Sequence, residues 1–310
     1  MQPLPLRLLS INQRSGCDSP FEEGFTDEDG AHATERGGLV ELPSAEKAGL
    51  LIVVPTVVDD ATFERMLGEV MPPELEAELE LFKLGEVRRT MSQEMKIDSN
   101  WKLPVDTFCE SYHFQKLHPG LREQLMPNTS VFRTFEPSDP DGLKRSSCMT
   151  LGSVQIRLLA AGLQEEDWGP PLRHVTQVYH LAPNTVLLLG GGGGATLSQH
   201  WPAGSAGQCT AELSQWSRTP PRTGERSKAQ MKAGFGFLMD LFVGEDFQIL
   251  PKMHQNFATN PDMEIMIGRH EPCLADRHRF YSEALARDAE YAGQYAEHFA
   301  EAFAAAGGGK

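Results

Sequence analysis

Cysteine is scarce and scattered in this chain. Its five thiols, Cys17, Cys109, Cys148, Cys209 and Cys273, include no Cys-x-x-Cys pair. An odd, unclustered set argues against a disulfide frame and for free thiols in a reducing cytosol. Basic residues are also short: 28 Lys and Arg stand against 43 Asp and Glu, a net charge of −15. A nucleic-acid binder needs cationic side chains to replace counterions, so that partner class is excluded. No apolar run reads as a membrane span. The long uncharged stretch from Val178 to Gln208 holds His180, His200, Asn184 and five consecutive glycines, and reads as strands and a glycine loop. Gly190 to Gly194 is no phosphate loop, because no Lys-Ser/Thr follows and no helix start stands behind it. It is expected to be a flexible turn. The first sixteen residues carry Arg7 and Arg14 and no acid, but their apolar part is too short and proline-broken for a secretory leader.

What is present is ordinary globular composition. At 310 residues, 40% hydrophobic and 23% charged, the chain can form one large domain or two smaller ones. Asp59 to Leu81 is apolar at helical spacing, with a break expected at Pro72-Pro73. Phe82 to Ile97 alternates enough for strands. Ser130 to Glu136 reads as a strand and Pro137 to Gly142 as a turn. Arg173 to Leu189 is the strongest strand signal, split at Pro183-Asn184. Ala195 to Pro202 and Gln208 to Gln215 follow as strands. Lys228 to Phe257 reads as a helix broken at Pro251, and Ala275 to Ala306 as a long alanine-rich helix. Strands in the middle with helices on either side make an α+β pattern.

The chemistry concentrates in Asn100 to Pro119. Asp106, Glu110 and His113 are spaced four and three apart, which predicts one polar stripe on a short helix. His118 lies roughly 140° further round than His113 on such a helix. The two imidazoles can point at one centre only if the helix loosens or ends between them. Pro119 gives a reason for it to end, since a residue before proline is pushed out of the α region. Two neutral imidazoles converging near carboxylates suit a first-row divalent metal. Taken alone, His-x4-His is weak, because most such histidines are surface or satisfied core residues.

The flanking residues sharpen it. Asn100-Trp101-Lys102, then Asp106, then Glu110 two residues before Tyr112-His113, then His118 and Pro119 resemble the iron-binding segment of Rieske-type aromatic-ring-hydroxylating oxygenases. The resemblance covers roughly Phe25 to Phe303. It implies a helix-grip, START-like fold: a curved antiparallel β-sheet around an apolar cavity, gripping a long C-terminal helix. It divides the chain into a 1–45 remnant of the cluster domain or linker and a 46–310 catalytic domain. It also implies Fe(II) on His113, His118 and a late acid. Glu245-Asp246-Phe247 matches the family's string for that acid, which selects Asp246. Glu110 is then the acid that links the iron electronically to a neighbouring subunit's cluster; its plainer role is to accept the His113 N–H and fix the tautomer. Asp106 is either a similar orienting group or a capped surface acid. Trp101 and Tyr112 are expected in the core, and the remaining histidines are expected to be structural or exposed, with one or two of His174, His180 and His200 lining the cavity.

One part of the family pattern is missing. The Cys-x-His and Cys-x-x-His ligands of the [2Fe–2S] cluster do not occur. Electrons would have to come through a ferredoxin and reductase or a cluster-bearing subunit. The function implied is O2-dependent hydroxylation or demethylation of a small apolar or aromatic substrate by a mono- or dioxygenase of the cytoplasm, with a homotrimer as the family's assembly. Three readings compete: an inactive or metal-free ligand-binding module of the same fold, a truncated fragment lacking electron supply, and a zinc hydrolase, which the missing general-base motif disfavours.

Overall fold

The computed structural model describes residues 41–119, 130–152, 175–190, 194–218, 220 and 227–287. The expected turn at Gly190 to Gly194 falls largely outside them, as do His174, His298 and the end of the alanine-rich helix. The chain divides into two compact units, residues 1–46 with 51–64, and residues 47–50 with 65–310.

The smaller unit holds most of a two-stranded hairpin, β1 (Ser44–Lys47) and β2 (Leu50–Val53). It also holds the start of α1 (Asp60–Val70). Asp59 accepts a hydrogen bond from Thr62 N at 2.7 Å, so one of the unpaired amides of the first turn is satisfied. In the larger unit the hairpin tip sits tightly on the following chain. Gly49 has φ +80, and a Cβ there would lie 2.3 Å from Gly85 N, so only glycine fits.

The larger unit is built on seven antiparallel strands: β3 (Arg88–Ile97), β4 (Val131–Thr134), β5 (Ser146–Gly152), β6 (Val175–Leu181), β7 (Thr185–Gly190), β8 (Gly194–Pro202) and β9 (Cys209–Ser217). Strands β4 to β9 pair neighbour to neighbour, and β3 closes against β9. Alternation sets which face is inside: Cys209, Ala211 and Leu213 on β9 are all buried. Pro72-Pro73 does separate α1 from α2 (Pro73–Glu80), with proline in the first helical turn where its missing N–H costs nothing.

The Asn100 to Pro119 stretch departs from the single expected helix. It forms two short pieces, α3 (Lys102–Asp106) and α4 (Phe114–Leu117), joined by a turn. Asp106, Glu110 and His113 therefore do not share a helical stripe. Tyr112 is 63% exposed and not in the core. Trp101 does pack, edge-on to Tyr281 with ring centroids 5.5 Å apart.

The late helices also depart from expectation at one point. Ser227 caps α5 (Lys228–Leu241) in a reciprocal capping box with Gln230. The helix then widens into a π-turn over Phe242–Asp246, closed by Phe247 N donating to Phe242 O, before α6 (Phe247–Thr259). Pro251 lies inside α6 and does not break it; the irregularity falls just before, at the π-turn. Phe235, Leu241, Phe242, Phe247 and Leu250 from this helix share one core with Met149, Leu151, Val178, Val186, Ala211 and Leu213 of the sheet. Burial of these side chains stabilises the packing by roughly 1.5–3 kcal/mol each. A last helix, α7 (272–287), starts earlier than Ala275 and is held by Tyr281 Oη donating to Pro183 O at 3.2 Å. The fold is α+β, a helix-grip arrangement with an antiparallel sheet around the late helices.

Candidate metal centre

His113 and His118 flank α4 as its N-cap and C-cap residues. His118 leaves the helical region, with φ −111 and ψ 88, immediately before Pro119. The single turn between them brings the imidazole centroids to 5.0 Å. Asp246 ends the π-turn and faces both rings. Its Oδ1 lies 3.1 Å from His118 Nε2 and 3.5 Å from His113 Nε2. His118 and Asp246 are almost fully buried. A π-turn inserts one residue into a helix and is often found at functional sites; here it ends on the carboxylate.

The backs of both rings are held by carboxylates. Glu110 Oε1 accepts from His113 Nδ1, and its other oxygen accepts from Tyr112 N and, at 3.2 Å, from His113 N. Glu245 Oε2 accepts from His118 Nδ1 at 2.5 Å. A carboxylate can only accept, so the proton of each neutral ring sits on Nδ1 and the Nε2 lone pair faces Asp246. Burial works to lower the His118 pKa, but the Asp246 and Glu245 carboxylates outweigh it and hold the imidazole above its ordinary value.

His113 Nε2, His118 Nε2 and Asp246 Oδ1 are buried and make no hydrogen bond, although they face one another. Buried polar atoms without partners are rare and costly. Around a first-row ion with bonds near 2.1 Å, neighbouring ligand atoms stand roughly 3.0 Å apart at right angles and more at wider angles. The two separations from Asp246 suit that spacing, and the two-imidazole, one-carboxylate donor set suits iron(II).

The other expected residues are placed as follows. Asp106 faces α7, where Oδ2 accepts from His278 Nε2 at 3.0 Å, and its Oδ1 is buried without a partner. That contact raises the His278 pKa and links α3 to α7. His180 and His200 are fully buried on β6 and β8. Glu245 stands out in the sequence only as part of the Glu-Asp-Phe string, yet it binds the opposite side of the ring that Asp246 faces. Two adjacent acids do not share a face on a regular helix, so spacing hides it; only the π-turn brings both to His118. A cleft of about 550 Å³ opens beside Glu245, lined also by Gln93, Met95, Met239, Asp240, Val243 and Gly244.

Residues 84–287, well over half of the chain, match the family described as ring hydroxylating alpha subunit (catalytic domain). Among solved structures, the quaternary ammonium Rieske monooxygenase CntA in complex with γ-butyrobetaine is similar at a TM-score of 0.59 and 14% identity, over 86% of this chain and 65% of that one. Dicamba monooxygenase bound to dicamba is similar at a TM-score of 0.50 and 11% identity, over 82% of this chain and 74% of that one. The chain thus spans less than two thirds of the length of that CntA chain. No curated protein matches it. With the fold, the family match and the two-histidine arrangement in agreement, the chain belongs to the Rieske-type ring-hydroxylating oxygenase alpha subunits, through their catalytic domain.

Proposed function

We propose that this chain is the oxygen-activating domain of a Rieske-type non-haem iron oxygenase, with Fe(II) held by His113, His118 and Asp246. The observation that carries the reading is the convergence of three buried ligand atoms that have no hydrogen-bond partner. When bound, the iron supplies open coordination positions and redox capacity for O2 to react with substrate. The chain's own residues prepare the site. Glu110 and Glu245 keep the Nδ1 protons in place, so both Nε2 lone pairs stay available. Phe108 and Phe242, edge-on with centroids 4.9 Å apart, give the neighbouring core an apolar wall that excludes water. Asp106 positions α3 through His278 and does not touch the ligand atoms.

Glu110 has a second proposed role as the bridge for electrons arriving from a cluster-bearing subunit, or from a ferredoxin and reductase working with one. Its side chain is 14% exposed, so an outside partner can reach it. Residues 46–310 act as the catalytic domain in this reading, 1–45 as linker, and the protein works in the cytoplasm; no helix among the described residues is long and apolar enough to cross a membrane.

The substrate class proposed is a small apolar molecule, aromatic or otherwise, that is hydroxylated or demethylated. The cleft favours a variant of this reading. It sets Asp240 and Glu245 beside Met95, Met239 and Val243, a lining that suits an apolar body with a cationic head, and the similar CntA is a quaternary ammonium monooxygenase. Binding of an alkyltrimethylammonium salt, weakened by Asp240→Asn, would favour it over a neutral aromatic. The competing reading is a metal-free ligand-binding module.

The test is partner-driven turnover. Iron-loaded chain given a reductase and a cluster-bearing partner should turn over substrate. Glu110→Gln should lose that turnover while keeping most of its iron. If Glu110→Gln loses iron as completely as His113→Ala, the bridge role is wrong.

A further inference from the structure

A second cluster of metal-binding side chains is left unused by the chemistry above. Cys109 comes from the turn after α3, His180 from β6 and Cys273 from the first turn of α7. All three are buried to within 1% of full enclosure. Their ligand atoms lie within 4.8 Å of one another. His180 Nε2 donates to Phe108 O at 3.0 Å, which leaves the Nδ1 lone pair of the neutral ring facing Cys273 Sγ at 3.5 Å.

We propose that Cys109, His180 and Cys273 form a binding site for a thiophilic divalent ion, of which zinc is the representative. Two thiolates and one imidazole are a soft donor set, while the His113 centre offers only nitrogen and oxygen, so the two sites select different ions. The spacing fits. With Zn–S near 2.3 Å and Zn–N near 2.05 Å at tetrahedral angles, a sulfur and a nitrogen ligand stand about 3.6 Å apart and two sulfurs about 3.8 Å. The second-layer contact is also in place, since the ring nitrogen that would not bind metal already donates to a carbonyl.

Burial pushes the Cys109 thiol well above its ordinary pKa, so the metal-free residue is a thiol. Binding breaks two S–H bonds, forms two sulfur–metal bonds and releases two protons to solvent, with no change of oxidation state. The ion joins three separate elements. It pins residue 109, one position before Glu110, to β6 and to α7. The site is thus a structural fastener behind the segment that carries His113.

The experiment uses the full chain, thiols reduced, stripped with chelator and titrated with Co(II) under anaerobic conditions. A strong near-ultraviolet thiolate-to-cobalt band should grow to saturation, at one ion per chain where Asp246→Ala removes the other centre, and bleach when excess Zn(II) is added. The His113 centre contains no sulfur and cannot produce this band. It should vanish in Cys109→Ser and in Cys273→Ser and persist in Cys17→Ser, Cys209→Ser and Asp246→Ala. If a serine variant fails to fold, the wild-type band and its persistence in the other three variants still decide. The proposal is overturned if the wild-type chain, its thiols shown to be reduced, gives no such band. Survival of the band in the Cys109→Ser/Cys273→Ser double variant would overturn it equally.

Discussion

Replacing Glu245 by leucine probes the part of the centre that sequence spacing hides. The carboxylate accepts a hydrogen bond from His118 Nδ1, 2.5 Å between heavy atoms, and its side chain is one-third exposed. Leucine removes the acceptor and is one atom shorter, but it still fills most of the side-chain volume. The His118 ring can then shift its proton to Nε2 or rotate away from Asp246, and either change must be reversed before a metal binds. A charge-assisted hydrogen bond contributes about 1.5–3 kcal/mol when well enclosed, and partial exposure here favours the lower half. Loss of such a partner behind a metal-binding histidine lowers affinity by about 10- to 100-fold, or roughly 1.4–2.7 kcal/mol. Glu245→Gln keeps an acceptor oxygen and should fall only a few-fold, on the order of 0.5–1 kcal/mol. The assay is anaerobic competition for Fe(II) between protein and a chelator of known affinity, run on wild type, Glu245→Gln, Glu245→Leu and His118→Ala. Glu245→Leu binding as tightly as wild type would refute the positioning role. Loss as complete as in His118→Ala would make Glu245 a ligand.

Two further outcomes concern stability. His200 has no partner at Nδ1, and burial depresses its pKa from 6.5 to about 3. Between the two pKa values the unfolded chain binds up to one more proton than the folded one, so stability decreases as pH is lowered, by up to about 1.4 kcal/mol per pH unit. Denaturant titrations of wild type and His200→Gln should show this difference in slope between pH 6.5 and 4; parallel profiles would count against it. Gly49→Ala forces a Cβ to within 2.3 Å of Gly85 N at φ +80. It should cost about 2 kcal/mol or more, seen as a lower unfolding midpoint, and an unchanged midpoint would mean that the hairpin tip moves aside freely.

Much of this arrangement is legible in the sequence, for local reasons. The strand signals split at Pro183-Asn184 fall on β6 and β7, where consecutive residues such as Val178 to Leu181 are buried, and those at 195–202 and 208–215 fall on β8 and β9; Pro72-Pro73 stops a helix because of proline's own geometry. Pro119 correctly signals the change of direction at His118. The failures share a cause. The Asp106, Glu110, His113 stripe assumes regular helix, but Glu110 bonds the amides of Tyr112 and His113 and so satisfies them without a helical turn. Glu245 and the earlier-than-expected irregularity before Pro251 depend on a π-turn that periodicity does not encode. Cys109, His180 and Cys273 are separated by 71 and 93 residues and meet only through the sheet and α7.

The central claim is that His113, His118 and Asp246 hold iron, and metal content tests it most directly. Chain purified without chelator under anaerobic conditions, after Co(II)- and Zn(II)-free growth, should contain about one iron per chain. His113→Ala, His118→Ala and Asp246→Ala should each reduce that to near zero, because three ligands leave no redundancy. Full iron occupancy in any one of the three variants, or a wild-type chain with no iron after loading with Fe(II), would contradict the account.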